Sequence, residues 1–340
     1  MRIIKSTIFI FIFLFCVEIY LKNKKPTPYM HDSELGWTVK KEFKHTYNEK
    51  DLYNNQYSSF YSTNNSGARS FTQKSSSNKF NQSVRILVVG DSFTMDPYVG
   101  NNDMWYSILA AKISKNTDQN VQVLAFGGGG YGSLQQLLLL QRYKEDIDNF
   151  SPNIFILQFC SNDFANNSLD IEKASFALSQ YMRRPYFINN KIYYYDGLLT
   201  YFFQKNILTR DSRVFAKSIF LFEIFLRKYF SSNNNISDDK INQAKNITQN
   251  ILTKINRLYP NTESYIFSCS NNTSELNRDW KKLAKESNFI ILEESSNFID
   301  KASNLNTKIF YKDGGHLNIL GNLLWGELIY EDITKNKARF

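Results

Sequence analysis

From Val84 to Val89 the chain reads Val-Arg-Ile-Leu-Val-Val and stops at Gly90, a short β-branched run with one polar position. Such a run lacks the in–out alternation of a half-exposed strand and predicts a strand buried on both faces, the habit of parallel sheets. Similar runs occupy 121–126 and 154–159, and between them apolar residues return at helical spacing over 105–115 and 134–144. Strand, helix, strand, helix, strand predicts a doubly wound, mostly parallel α/β sheet flanked by helices. The rhythm resumes with a helix over 239–258, a strand at 264–268, a helix near 275–287 and a strand at 289–292. A last helix begins after His316 and runs to about Lys335.

Two stretches break the pattern. From Asn166 to about Asp239 the spacing predicts a helical insertion beside the mouth of the sheet, with Tyr193-Tyr194-Tyr195 and an apolar stretch over 214–230. Ile219, Phe220, Phe222 and Phe225 sit near Lys217, Arg227 and Lys228; core packing is the favoured reading and a membrane-surface helix the minority one. At the N-terminus, Arg2 and Lys5 precede an apolar run from Ser6 to Leu21, then Lys22, Lys24 and Lys25. A basic segment followed by an apolar one predicts an export signal or, with no small-residue cleavage site after it, an uncleaved anchor. The chain thus divides into a signal or membrane anchor over 1–25, a polar linker and N-terminal extension over 26–82, and an α/β domain over 83–335 with its insertion at about 166–239. Within the extension, 72–82 reads as a flexible loop.

Composition narrows the function classes. The net charge of +9 suits anionic surroundings such as phospholipid or acidic polysaccharide, although a solvated basic surface explains it as well. Lys and Arg are scattered without a binding motif, which argues against nucleic acid. The three cysteines, Cys16, Cys160 and Cys269, have no metal-ligand spacing. A Cys160–Cys269 disulfide is one arrangement of the last two, and buried free thiols are the expected one.

The candidate chemistry lies where strands end. Gly90-Asp91-Ser92-Phe93-Thr94 follows the first buried strand, and ligands of open α/β sheets bind beyond the carboxyl ends of strands. A serine hydroxyl needs a base, and Asp313-Gly314-Gly315-His316 supplies a histidine with a carboxylate three residues before it. His31 and His45, the other histidines, lack such a partner in sequence. Ser161-Asn162-Asp163 ends the third strand and offers a side-chain amide donor. The run Gly127 to Gly130, then Tyr131-Gly132, exposes backbone N–H groups without matching a phosphate-loop pattern. Each of these also reads as an ordinary turn or helix cap. Their joint presence at successive strand ends is what points to a site.

Together, Gly90-Asp91-Ser92-Phe93, Gly130, Asn162-Asp163 and Asp313-x-x-His316 resemble the ordered blocks of the SGNH/GDSL hydrolases, from Val84 to about Leu328. The resemblance implies a flavodoxin-like sheet with Ser92 as nucleophile, His316 as base and Asp313 as its partner. It further implies that the N–H groups of Ser92 and Gly130 and the Asn162 amide form the oxyanion hole. Leu35-Gly36-Trp37 and Asn64-x-x-Gly67-x-Arg69 look like segments of membrane-anchored members from bacterial surface-glycan loci. One departure is Ala125-Phe126, where many relatives carry Asn. The implied function is a serine esterase removing ester-linked acyl groups, O-acetyl foremost, from a cell-surface glycan, with no metal or organic cofactor. The expected setting is a membrane held through the N-terminal segment, with the domain outside the cytoplasm. A glycan O-acetyltransferase using the same site, or a non-catalytic glycan-binding or assembly protein, are the alternatives.

Overall fold

The computed structural model describes residues 2–24, 26–50, 56–75, 83–174, 183–189, 191–196, 200, 209, 212–230, 236–269, 279–304, 308–311 and 315–336. Its strands are β1 (Tyr29–Asp32), β2 (Gly36–Val39), β3 (Lys44–Lys50), β4 (Gln56–Ser62), β5 (Arg69–Gln73), β6 (Ser83–Gly90), β7 (Asn120–Gly127), β8 (Ile154–Phe159), β9 (Arg184–Ile188), β10 (Lys191–Tyr195), β11 (Glu263–Ser268) and β12 (Ile290–Ile291). The helices are α1 (Arg2–Lys24), α2 (Trp105–Thr117), α3 (Ser133–Arg142), α4 (Lys144–Phe150), α5 (Asn162–Asn167), α6 (Leu169–Ala174), α7 (Arg213–Phe230), α8 (Asp238–Arg257), α9 (Trp280–Glu286), α10 (Glu293–Ser296), α11 (Phe298–Asn304) and α12 (Ile319–Asn336).

The central sheet has the order β12-β11-β8-β6-β7-β5, parallel throughout except for β5, which runs antiparallel along β7. Successive side chains of a strand point to opposite faces, so a doubly wound sheet needs apolar residues at both parities. In β6, Leu87 and Val89 join the core under α3, α8 and α9, while Ile86 and Val88 join the core under α2 and α12. The first core takes Leu134, Leu137, Ile251 and Leu283; the second takes Leu109, Ile113, Trp325 and Ile329. That double burial is why the strand runs carry almost no polar alternation.

The extension before β6 is built into this body. β1 pairs with β2, β3 with β4, and β5 closes the edge of the sheet with Arg69 opposite Ala125. Arg69 is fully buried: Nη1 donates to the Asp96 carbonyl at 2.8 Å, Nη2 to the Val99 carbonyl at 2.7 Å, and Nε to Asn101 Oδ1 at 3.0 Å. Its guanidinium also lies over the Tyr61 ring, 4.6 Å from the centroid. Three charge-assisted bonds on one segment fix the loop after β6. Arg69→Leu, which strands two buried carbonyls, is therefore expected to cost roughly 3–5 kcal/mol, read as a lowered denaturant midpoint. An unchanged midpoint would show that solvent replaces the guanidinium.

The insertion departs from the helical expectation in one respect. β9 and β10 form an antiparallel hairpin, with Tyr193 opposite Tyr186 and Tyr194 opposite Pro185. Aromatic residues favour a pleated, half-buried surface, and Asn189 takes the left-handed conformation at the turn (φ 49°). Residues 175–182 and most of 197–211 lie outside the described residues. α7 packs beside α1, and Glu18 accepts from the Arg213 and Val214 N–H groups, both at 2.8 Å, and from the Ser212 hydroxyl at 3.0 Å. Phe9, Phe13, Phe15, Leu221, Phe222 and Phe225 stay exposed on these two helices. Among the described residues no helix is long and apolar enough to cross a membrane.

Cys160 and Cys269 form a disulfide, where free thiols were the expectation. They follow the carboxyl ends of the adjacent parallel strands β8 and β11, which brings their Cα atoms to 5.0 Å, within bridging range. Sequence separation of 109 residues hides a proximity that sheet pairing creates. Cys16 is exposed and unpaired.

Candidate active site

β6 ends in a tight turn that turns Ser92 out of the sheet. The Asp91 carbonyl accepts from the Thr94 and Met95 N–H groups, and Asp91 Oδ1 accepts from the Phe93 N–H at 3.0 Å. Beneath the turn lies Gln158, wholly buried on β8. Its Nε2 donates to Asp91 Oδ1 at 3.0 Å, while its Oε1 accepts from the Asp91 N–H at 3.2 Å and the Thr94 hydroxyl at 2.9 Å. Burial raises the Asp91 carboxyl, against the pull of the Phe93 N–H, Gln158 and the charge of His316. Asp91 is thus the brace of the turn. Phe93 anchors the other side, 5.9 Å ring to ring from Trp325, with its carbonyl accepting from the Trp105 indole at 3.3 Å.

β6 has β7 on one flank and β8 on the other, so the chain leaves the sheet in opposite directions around this point, and a crevice opens beyond the carboxyl ends. From β7 comes the glycine run. Gly130 has φ 70°, a region that favours glycine, and a Cβ placed on it would touch nothing within 4 Å. Its carbonyl is held by Asn166 Nδ2 and Arg184 Nη2, each at 3.0 Å. Among the described residues no acceptor takes the N–H of Gly130 or of Ser92. From β8 comes Asn162, the first residue of α5, half-buried at the crevice. Asp163 turns inward, accepting from the Ser133 hydroxyl at 3.1 Å and the Cys160 N–H at 3.3 Å; burial and the charge of Asp91 push its carboxyl well above the usual range. Its place is in the floor.

His316 arrives on the loop before α12, where Phe310 bridges Leu317 and the Tyr311 N–H donates to the His316 carbonyl at 2.9 Å. Its ring lies 5.6 Å from that of Phe93, the neighbour of Ser92. Asp313 lies outside the described residues. Ser92, Gly130, Asn162 and His316 line one cleft of about 590 Å³, walled by Tyr29, Trp37 and Arg184. Nearly the full length of the chain is needed to assemble it. Among the described residues, metal-type ligands cluster at Asp91, Cys160 and Cys269, where the two sulfurs are already bonded to each other.

Sequence reasoning did not single out Gln158, Asn166, Arg184 or Tyr29. Gln158 had a legible signal, since it is the one polar residue in the run 154–159. Arg184 and Tyr29 had none, because their partners lie across folded segments.

Residues 86–191 match the family model of the GDSL-like lipases and acylhydrolases. The comparison with curated proteins gives no match. Among solved structures, TesA is 11% identical over 74% of this chain and 98% of its own, with a TM-score of 0.43. The psychrotrophic esterase EstA from Pseudoalteromonas sp. is 11% identical over 74% and 97%, with a TM-score of 0.40. The lipase/acylhydrolase from Enterococcus faecalis is 13% identical over 76% and 99%, with a TM-score of 0.39. The class is that of serine hydrolases acting on esters. The region that resembles the GDSL-like lipases and acylhydrolases, residues 86–191, lies on the mostly parallel sheet flanked by helices.

Proposed function

We propose that the protein removes ester-linked acyl groups, O-acetyl foremost, from a cell-surface glycan through an acyl-enzyme on Ser92. The observation that carries this reading is the shared cleft of Ser92, His316, Gly130 and Asn162. His316 takes the proton as Ser92 Oγ attacks the ester carbonyl. The oxyanion is met by the N–H groups of Ser92 and Gly130 and the Asn162 amide. His316 returns the proton to the departing alcohol, then activates the water that frees the acid. Asp313 orients His316 in this assignment, by its place in the sequence. Tyr29 and Trp37 bring aromatic rings to the wall of this cleft, a surface against which a sugar ring can stack.

The proposal extends to membrane attachment through the exposed apolar surface of α1, with the domain outside the cytoplasm. The disulfide supports that compartment, since such bonds persist under oxidising conditions. Incubation with an activated acetyl ester, followed by mass spectrometry, tests the core of the reading: an acetyl adduct on Ser92 is expected, and a protein that turns over ester without one overturns it. Adding candidate glycans with labelled acetyl then separates release into water from transfer to an acceptor. Asn162→Ala is expected to lower kcat by about 10²–10³ with little change in KM for a small aryl ester. A wild-type kcat would remove Asn162 from the oxyanion hole.

A further inference from the structure

We propose that Trp37 and Tyr29, on the β1–β2 hairpin, are positioning residues that set the plane of the peptide carrying the Gly130 N–H; this rests on the acyl-transfer reading above. The Trp37 indole N–H donates to the Gly129 carbonyl at 2.9 Å. In a trans peptide the carbonyl and the following N–H point in opposite directions. Holding the Gly129 oxygen against Trp37 therefore turns the Gly130 N–H the other way. Both glycines line the cleft, and among the described residues no protein acceptor claims that N–H. The preceding peptide is fixed by the Gly129 N–H, which donates to the Tyr29 hydroxyl at 2.9 Å, and the following one by Asn166 and Arg184 on the Gly130 carbonyl.

Glycine runs are the least restrained backbone a protein can offer, so a donor placed in one loses its aim unless something outside holds it. Three consecutive peptides here are held by four side chains, two of them on the hairpin. Trp37 is itself clamped. Its carbonyl accepts from the Tyr131 hydroxyl, its ring lies 5.9 Å from that of Tyr131, and the buried Arg184 guanidinium stacks 4.9 Å from its ring centroid. The hairpin is tied down beside it by Gln135 Nε2 on the Leu35 carbonyl at 2.6 Å and by the two-pronged Arg142–Asp32 pair at 2.7 and 2.9 Å. A segment that precedes the sheet in sequence thereby acts on the reaction through backbone geometry.

Trp37→Phe keeps a ring against Tyr131 and Arg184 and deletes the N–H. It is expected to lower kcat on an aryl acetate by roughly 10–100-fold with KM within about twofold, the scale of a misaimed donor. The inhibition constant of phenylboronic acid, which forms a tetrahedral adduct on the nucleophilic serine, should weaken by the same factor. A purely structural role would lower the folded fraction and leave that constant unmoved in the folded molecules. Should Trp37→Phe fail to fold, Tyr29→Phe deletes one acceptor and should show the same pattern at roughly 3–10-fold. Wild-type kcat and boronate affinity in the folded variant overturn the proposal. Failure of the wild-type protein to label at Ser92 with a fluorophosphonate overturns the acyl-enzyme reading instead, so the two failures are told apart.

Discussion

Ser92→Ala is expected to lower kcat on an aryl acetate by roughly 10⁴-fold or more while leaving the fold intact. The stability half of the expectation comes from the turn. Asp91, Gln158 and Thr94 hold it through groups other than the Ser92 hydroxyl, and among the described residues that hydroxyl supports no hydrogen bond of its own. The catalytic half comes from chemistry. Without Oγ no acyl-enzyme forms, yet the Ser92 N–H, the Gly130 N–H and the Asn162 amide remain. A residual rate above that of water should therefore persist, since an oxyanion hole works on any nucleophile that enters it. Steady-state rates on the purified variant, with a thermal melt and intact mass after exposure to the activated ester, check both halves. A variant that turns over at the wild-type rate would mean that another group attacks the carbonyl.

Much of this cleft was legible in the chain because its main parts sit at strand ends, and strands buried on both faces announce themselves as apolar runs. Val84–Val89 ends at Gly90 in the structure as in the pattern, and the run 154–159 is β8. The motifs then fall at the carboxyl edge because the strands are parallel. What was not legible depends on contacts between distant segments. Local pattern cannot show that Cys160 meets Cys269, because the pairing of β8 with β11 decides it. Nor can it show that a polar stretch before the sheet reaches the glycine run after β7. Trp37 and Gly129 are 92 positions apart, and nothing in the glycine run hints that its aim is set from outside. The β9–β10 hairpin was missed for a different reason: aromatic runs fit a strand as readily as an apolar helix, and periodicity alone does not separate the two.

The second large effect is expected from Gly90→Ala, a change of one methyl group at the end of β6. A Cβ there would lie 2.3 Å from Thr94 Oγ1, 2.4 Å from Gln158 Oε1 and 3.0 Å from Gln158 Cβ. A clash with a flexible surface side chain would be relieved by a rotamer change, but Gln158 is wholly buried in the centre of the sheet and committed to Asp91 and Thr94. Making room means breaking the contacts that hold the turn, so strain and lost hydrogen bonds add. The expected cost is about 3 kcal/mol or more, the upper end for an overpacked core. Because the same contacts aim Ser92, the folded fraction should also turn over poorly, by roughly 10²-fold for a displacement near an ångström. A denaturant titration gives the first number. The rate per fluorophosphonate-reactive site gives the second, free of the unfolded molecules. Loss of stability with full turnover per reactive site would separate the brace from the chemistry. Retention of both would show that the sheet yields around Gly90, and that the Gln158 hub does not decide where Ser92 points.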